Sequence, residues 1–175
     1  MKKYLVLALC LLILTVGHAQ NYTEYFANKT LRVDYIFTGD ASCQNVCLDE
    51  LSVLPSWAGR HQHLAELPLQ GNGQIIMKDL ESGKTVYTTS FSSLFQEWLE
   101  TDEAKVVSKG FENTFLLPYP LRPVEIEITL LSPRKEVRTC LKHTVRPNDV
   151  LIHQKGTAHI TPHKYLLKSG ETDKC

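Results

Sequence analysis

The residues of this chain that could do chemistry are its histidines and cysteines, and their spacing matches no familiar catalytic motif. His61 and His63 are the tightest histidine pair, and at positions i and i+2 of a strand both side chains would share one face. A zinc site needs a third protein ligand, and none lies next to this pair. No HExxH, GxSxG or Walker sequence occurs in the chain. These residues predict a chain that is not itself an enzyme and has no metal or cofactor of its own.

The first 20 residues have the layout of a secretory signal peptide. Two lysines near the start are followed by the apolar run 4–16 and by a cleavage site of small residues, Gly17-His18-Ala19. The run of about 13 residues is shorter than the ~20 that a membrane-spanning helix needs. We therefore expect cleavage after Ala19 or Gln20, no membrane span afterwards, and a secreted, periplasmic or cell-surface protein.

Cleavage would leave about 155 residues, enough for one domain. The whole chain has 19 basic and 19 acidic side chains, and losing the two lysines of the signal peptide leaves 17 basic against 19 acidic. This balance provides no basic excess for nucleic acid. We expect a domain over residues 21–155, followed by a last short strand and a linker over residues 156–175.

Four cysteines remain after cleavage, at Cys43, Cys47, Cys140 and Cys175, and export permits disulfides. They allow three full pairings, among which the sequence does not choose. Cys43 and Cys47 could pair only where the backbone turns, because four residues of straight strand span about 13 Å. A zinc site needs two short spacings and only one exists, so disulfides or buried free thiols are favoured over metal.

The elements that must position these residues are mostly strands. Within Thr30 to Asp40, the apolar residues Leu31, Val33, Tyr35 and Phe37 share one face, and Gly39-Asp40 ends the strand in a turn. On the opposite face, Arg32 and Asp34 are expected to have a structural role. An unpaired buried charge is costly, so each should find a polar partner, such as Glu97 for Arg32.

Further strands are predicted at His63–Leu69, Gln74–Leu80, Thr85–Phe91, Phe111–Leu117, Val124–Leu130, Val137–Val145 and Val150–His153. Pro and Gly interrupt them every 8 to 15 residues, which predicts an all-β fold, an antiparallel β-sandwich of immunoglobulin-like architecture. Residues 41–60 are expected to be irregular. Within them, Trp57 either covers one end of the core or offers a candidate binding surface on which a sugar would stack.

One short helical segment is predicted from Ser93 to Asp102. Ser93 and Gln96 fit a capping box, and the apolar stripe that follows would pack on the sheet through Trp98. The predicted buried core is Leu31, Val33, Tyr35, Trp98, Phe115, Ile126 and Ile128.

Two motifs together resemble the N-terminal domain of the IgA-peptidase family of bacterial zinc metallopeptidases. They are LRVDY at Leu31–Tyr35 and FQEWLETDEA at Phe95–Ala104. Tyr25-Phe26, Trp57-Ala58-Gly59, Tyr87, Phe91, Phe111, Phe115 and Pro118 add to a resemblance over residues 21–155.

The resemblance implies a β-sandwich that precedes a protease domain, with the zinc ligands and the catalytic base in that downstream domain. It implies no catalytic residue in this chain, and zinc only in the protease domain. The expected partners are that protease domain and an immunoglobulin or another protein or glycan substrate.

Two functions are compatible with these observations. The first is an exported, non-catalytic module that supports the protease domain or helps to dock its substrate. The alternative is a stand-alone surface or periplasmic module that binds protein or glycan.

Overall fold

The computed structural model describes residues 21–67, 69–156, 164, 166–167 and 169–170. Its elements are α1 (Tyr22–Tyr25), β1 (Phe26–Gly39), β2 (Gln44–Leu54), β3 (Gly73–Asp79), β4 (Thr85–Phe91), α2 (Leu94–Trp98), a single 3₁₀ turn (Glu103–Lys105), β5 (Lys109–Pro120), β6 (Val124–Leu131), β7 (Val137–Val145) and β8 (Ile152–Gln154). The strands form two four-stranded sheets, in the orders β5-β1-β2-β8 and β4-β3-β6-β7. The predicted all-β sandwich is confirmed.

β1 is a central strand and carries the middle of the core. Its four predicted apolar residues, Leu31, Val33, Tyr35 and Phe37, are fully buried. Each has a cross-strand neighbour on both sides, because β1 pairs antiparallel with β2 and with β5. The period-two alternation in the sequence therefore corresponds to a strand with one face against the second sheet.

β2 overturns the prediction that residues 41–60 are irregular. The turn before it requires Gly39, whose φ is +132° and whose missing Cβ would meet the carbonyl oxygen of Cys43. The strand pairs with β1 along its length, with a bulge at Asp49. There the register shifts between the pairs Tyr35/Leu48 and Asp34/Glu50. Because a bulge breaks the alternation of side chains, the sequence pattern of this strand is hidden.

The prediction of a strand at His63–Leu69 is wrong. The backbone turns here instead: His63 has a φ of +52°, and its carbonyl accepts a hydrogen bond from the amide of Glu66 at 3.1 Å. Leu64 is buried, and its carbonyl accepts from the amide of Thr88 on β4 at 2.8 Å. The segment therefore covers the outer edge of β4.

The remaining strand pairings follow the predicted turns. β3 pairs with β4, and β6 with β7, as antiparallel neighbours. After β7 the chain crosses to the other sheet, where β8 pairs in parallel with β2 and Ile152 lies opposite Leu51. This parallel pair is the exception in an otherwise antiparallel fold.

Two predicted core residues are less buried than expected. Ile126 and Ile128 are fully buried, whereas Trp98 and Phe115 are only half-buried at the boundary of the core. Phe115 lies on β5, an outermost strand, and Trp98 lies on α2 and packs on Phe111 of the same strand. Side chains at this border have protein on one side only, so the prediction that both are buried was wrong.

None of the helices in the described part of the chain is long and apolar enough to cross a membrane. The predicted signal peptide, residues 1–20, lies outside the described residues, as do His159, His163 and Cys175. The same holds for most of the predicted linker at 156–175, so the domain boundary at residue 155 stays a prediction.

Candidate functional site

Half-buried aromatic side chains meet where β4, α2 and β5 border one side of the sandwich. We call Phe91, Trp98, Phe111 and Phe115 the edge cluster. The ring centroids of Phe91 and Phe115 are 4.5 Å apart, and those of Trp98 and Phe111 are 5.4 Å apart. Aromatic rings that keep part of their surface exposed in this way are typical of contact surfaces.

A polar anchor fixes the helix that carries Trp98. The hydroxyl of Ser93 accepts a hydrogen bond from the amide of Gln96 at 3.3 Å and caps α2, as the predicted capping box requires. Gln96 is buried, and its side-chain amide donates to the carbonyls of Asn72 and Leu131. The glutamine thus ties the helix to the loop before β3 and to the end of β6.

The second half of the FQEWLETDEA motif orients the indole ring. Trp98 Nε1 donates to Glu103 Oε2 at 2.9 Å, and Lys109 Nζ lies 2.6 Å from Glu103 Oε1. The hydrogen bond from Lys109 and, as the smaller contribution, that from Trp98 hold the pKa of Glu103 below its usual range. Lys109 Nζ also lies 5.6 Å from the centre of the Trp98 ring. The ammonium group and the carboxylate of Glu103 therefore both fix the position of the indole.

The LRVDY motif has a polar face built around Asp34. Arg32 Nε donates to both carboxylate oxygens of Asp34, at 3.0 and 2.9 Å, and Thr114 Oγ1 donates at 2.5 Å. Burial alone would raise the pKa of Asp34, but these hydrogen bonds outweigh it and lower the pKa. The expected polar partner of Arg32 therefore exists, but Glu97 as that partner was wrong. Residues i and i+2 of a strand lie on one face and reach each other first.

Tyr35 connects the two sheets. Its hydroxyl lies 2.7 Å from Nε2 of His143 on β7, and the rings meet edge-on. Burial lowers the pKa of His143 to about 4 and raises the pKa of Tyr35. The imidazole is therefore neutral at pH 7, and its Nδ1 is buried without a hydrogen-bond partner among the described residues.

Trp57 is not a stacking platform. It is only 8 % exposed, its ring meets Tyr87 edge-on, and Nε1 donates to the carbonyl of Arg60 at 3.1 Å. The candidate binding surface at Trp57 is thus a plug over one end of the core, with no ring face free for a sugar.

The histidine pair does not form a metal site. The His61 ring packs on Tyr22, with centroids 4.2 Å apart, and His63 Nδ1 lies 2.9 Å from Glu66 Oε1. Within the described ranges, no group of three or more His, Cys, Asp or Glu side chains could hold a metal ion. The described residues therefore provide no ligand set of the kind that the zinc centre of a metallopeptidase needs.

Cys43, Cys47 and Cys140 are free and exposed. Cys43 immediately precedes β2 and Cys47 lies within it, so the backbone between them is extended rather than turned. About 13 Å of strand is far more than a disulfide spans, which excludes the Cys43–Cys47 pairing in this fold. A disulfide to Cys175, which lies outside the described residues, stays a prediction.

Several contacts of this region could not be read from the sequence. Thr114 reaches Asp34 across 80 positions of the chain, and His143 reaches Tyr35 across 108. The alternation of side chains along β5 was the one signal in the sequence. Phe111 and Phe115 are an even number of residues apart and share the apolar face, so Thr114 between them lies on the opposite face.

In a comparison with protein families, the model described as "Peptidase M64 N-terminus" matches residues 21–142. The matched span contains the edge cluster and the Arg32–Asp34 pair. No curated protein matches the chain.

Proposed function

The chain belongs to the peptidase M64 N-terminal family, the N-terminal domain of the IgA peptidases, and on this premise we propose that it is an exported, non-catalytic module. Its role is to support the protease domain of this family or to help dock that domain's substrate. The observation that carries the proposal is the family match over residues 21–142, which includes every side chain of the edge cluster.

The edge cluster supports a role in contact rather than in catalysis. Trp98 lies on a capped helix, and its indole donates to Glu103, which pairs with Lys109, so this ring of the edge cluster is oriented before any partner arrives. A preorganised surface loses little conformational entropy on association.

The zinc chemistry of the family belongs, in this proposal, to the protease domain. Metal-assisted hydrolysis needs three protein ligands, an open coordination position and a base near the bound water. The described histidines are engaged elsewhere: His61 with Tyr22, His63 with Glu66, His143 with Tyr35 and His153 with Glu50.

Export is the second part of the proposal, and the layout of residues 1–20 supports it. Pulse labelling in a bacterial host, with and without residues 1–20, measures whether the leader is removed and the chain leaves the cytoplasm. Retention of full-length, uncleaved chain in the cytoplasm would contradict this part alone.

Association with a protease domain is tested by calorimetry. The purified chain is titrated into an M64 protease domain that has been produced without its own N-terminal domain. We expect saturable binding that Trp98→Ala weakens, whereas Leu94→Ala, which alters an exposed leucine of the same helix, serves as the matched control. Absence of binding with both proteins folded would contradict the supporting role.

A further inference from the structure

One long strand edge of the sandwich has no neighbour in the described part of the chain. β5 is the outermost strand of its sheet and pairs on one side only, with β1. An unpaired edge presents a row of free backbone N–H and C=O groups, on which another strand can add. The outermost strands β4, β7 and β8 also pair on one side only, but their free edges differ from that of β5 in how they are protected.

Each of those edges is protected. On β4, the amide of Thr88 donates to Leu64 and its carbonyl accepts from Arg60, so a loop covers the strand. β8 has three residues, and β7 carries the cationic side chains Arg138 and Lys142. Short strands, cationic side chains and covering loops are the usual means of preventing edge pairing. β5 has twelve residues, and no loop among the described residues makes a backbone hydrogen bond with its stretch Phe111–Leu117.

The stretch of β5 available for pairing is Phe111–Leu117. It ends at Pro118, because proline has no N–H to donate to a neighbouring strand. Within it, the side-chain amide of Asn113 donates to the carbonyl of Phe111 at 3.0 Å, a bond that an incoming strand would replace. These seven residues are enough to pair with an ordinary strand, which has about 5–6 residues.

The side chains along this stretch set the chemistry of the partner. On the side facing the second sheet, Phe111 and Phe115 are half-buried and continue into Phe91. On the outer side, Glu112 is exposed and makes no ion pair among the described residues, and Leu116 is 53 % exposed. The edge thus combines an apolar row with one isolated carboxylate.

From this geometry we infer that β5 is a docking edge for an extended segment of a partner polypeptide, which adds to the sheet as a further strand. The segment has apolar side chains at every second position, which cover Phe111 and Phe115, and a Lys or Arg between them beside Glu112. The inference deepens the proposed function and rests on it for the kind of partner, a polypeptide. Strand addition takes its affinity from backbone hydrogen bonds and its specificity from alternate side chains.

Charge complementarity argues against a second copy of this chain as the occupant. If two β5 strands paired with both apolar rows on the same side, Glu112 would face Gly110, Glu112, Thr114 or Leu116 of the other copy. None of these is cationic, so both carboxylates would stay unpaired. Opposite charges directly across a strand pair stabilise it, and like charges destabilise it.

The test uses two synthetic peptides of about eight residues, the length of one strand. Both have Val at every second position; one has Lys between the valines and the other Glu. Amide hydrogen exchange of the chain is measured with each peptide, together with the two dissociation constants. We expect slowed exchange across Phe111–Leu117, and a Kd about twofold to fivefold lower for the Lys peptide.

The charge-reversal variant Glu112→Lys should bind the Glu peptide more tightly than the Lys peptide. Glu81→Lys, which reverses another exposed carboxylate in the β3–β4 turn, should leave the preference unchanged. Unchanged exchange across Phe111–Leu117 at about 1 mM of either peptide would overturn the inference. So would protection of those amides by a dimer of the chain alone. If the peptides leave exchange unchanged but the chain still binds the protease domain, only the docking edge is contradicted. If the peptides bind β5 but the protease domain does not bind the chain, only the supporting role is contradicted.

Discussion

The hydroxyl of Tyr35 lies 2.7 Å from Nε2 of His143, and this contact joins the two sheets through the core. β1 and β7 belong to different sheets, so no backbone hydrogen bond links them. The tyrosine is fully buried, and the imidazole Nδ1 has no hydrogen-bond partner in the described chain. The pair is therefore sensitive to protonation and to the loss of either partner.

Protonation of His143 should destabilise the fold. Burial lowers its pKa to about 4 from the usual 6.5, so between these values the unfolded chain binds the proton more readily. Stability is then complete above about pH 6.5 and falls as the pH drops toward 4. We expect a loss of about 2 kcal/mol across this window, after allowing for partial solvent exposure of the ring.

Urea unfolding at several pH values between 4 and 7.5 measures this slope. The variant His143→Gln keeps a hydrogen-bonding group but cannot become an imidazolium, so its slope over that window should be smaller. An identical slope in both proteins would show that another group titrates.

Tyr35→Phe removes the hydroxyl and leaves His143 Nε2 buried without its partner. A buried polar group left unsatisfied costs about 1–3 kcal/mol, and we expect a loss of that size in the free energy of unfolding. In Tyr35→Phe combined with His143→Leu, the two losses should be less than additive, because both changes remove the same contact. Strict additivity would show that the hydroxyl and the imidazole contribute independently.

Asp34→Asn should weaken the Arg32–Asp34–Thr114 group. The lowered pKa of Asp34 means that the carboxylate stabilises the fold above the usual carboxyl pKa, and that this contribution is lost as the pH falls. We expect a cost of about 1–2 kcal/mol at pH 7 and a much smaller cost in acid. Unfolding at pH 7 and pH 3 measures it, with Glu81→Gln as an exposed carboxylate control. A cost that is the same at both pH values would show that ionisation of Asp34 plays no part.

Trp98→Ala should destabilise the domain less than the loss of a fully buried tryptophan would. Removing a buried Trp costs about 3–5 kcal/mol, and for this half-buried ring we expect about 2–3 kcal/mol. Leu94→Ala, at an exposed position that is 73 % accessible in the same helix, should cost under about 0.5 kcal/mol. Thermal unfolding compares the two, and equal effects would show that α2 does not pack through Trp98.

Regular alternation made part of the fold predictable. In β1 and β6 the apolar core residues alternate with more polar ones, so Leu31 and Ile126 could be assigned to the core directly, although Asp34 and Thr129 on the opposite faces are buried as well. In β2, the bulge at Asp49 moves side chains to the opposite face and hides the strand. Within His63–Leu69 the apolar spacing resembles that of a strand, but the backbone turns at His63.

The candidate site was predictable only in part. The motifs identified Trp98 and the Arg32–Asp34 pair, but the pattern of a strand does not reveal whether it lies at the edge of a sheet. The half-burial of Phe115 and the open edge of β5 follow from strand order, which depends on pairing with β1 some 80 positions earlier. The same limit applies to Tyr35 and His143.

The central proposal, that this member of a peptidase family is itself non-catalytic, is tested most directly by a cleavage assay. The purified chain is incubated with IgA and with casein at neutral pH, with zinc and with EDTA, and new peptide termini are quantified. We predict no turnover above buffer in either condition, because the described residues provide no zinc ligand set. Chelator-sensitive turnover that copurifies with the chain, and is lost in the double variant His61→Ala/His63→Ala, would contradict the claim.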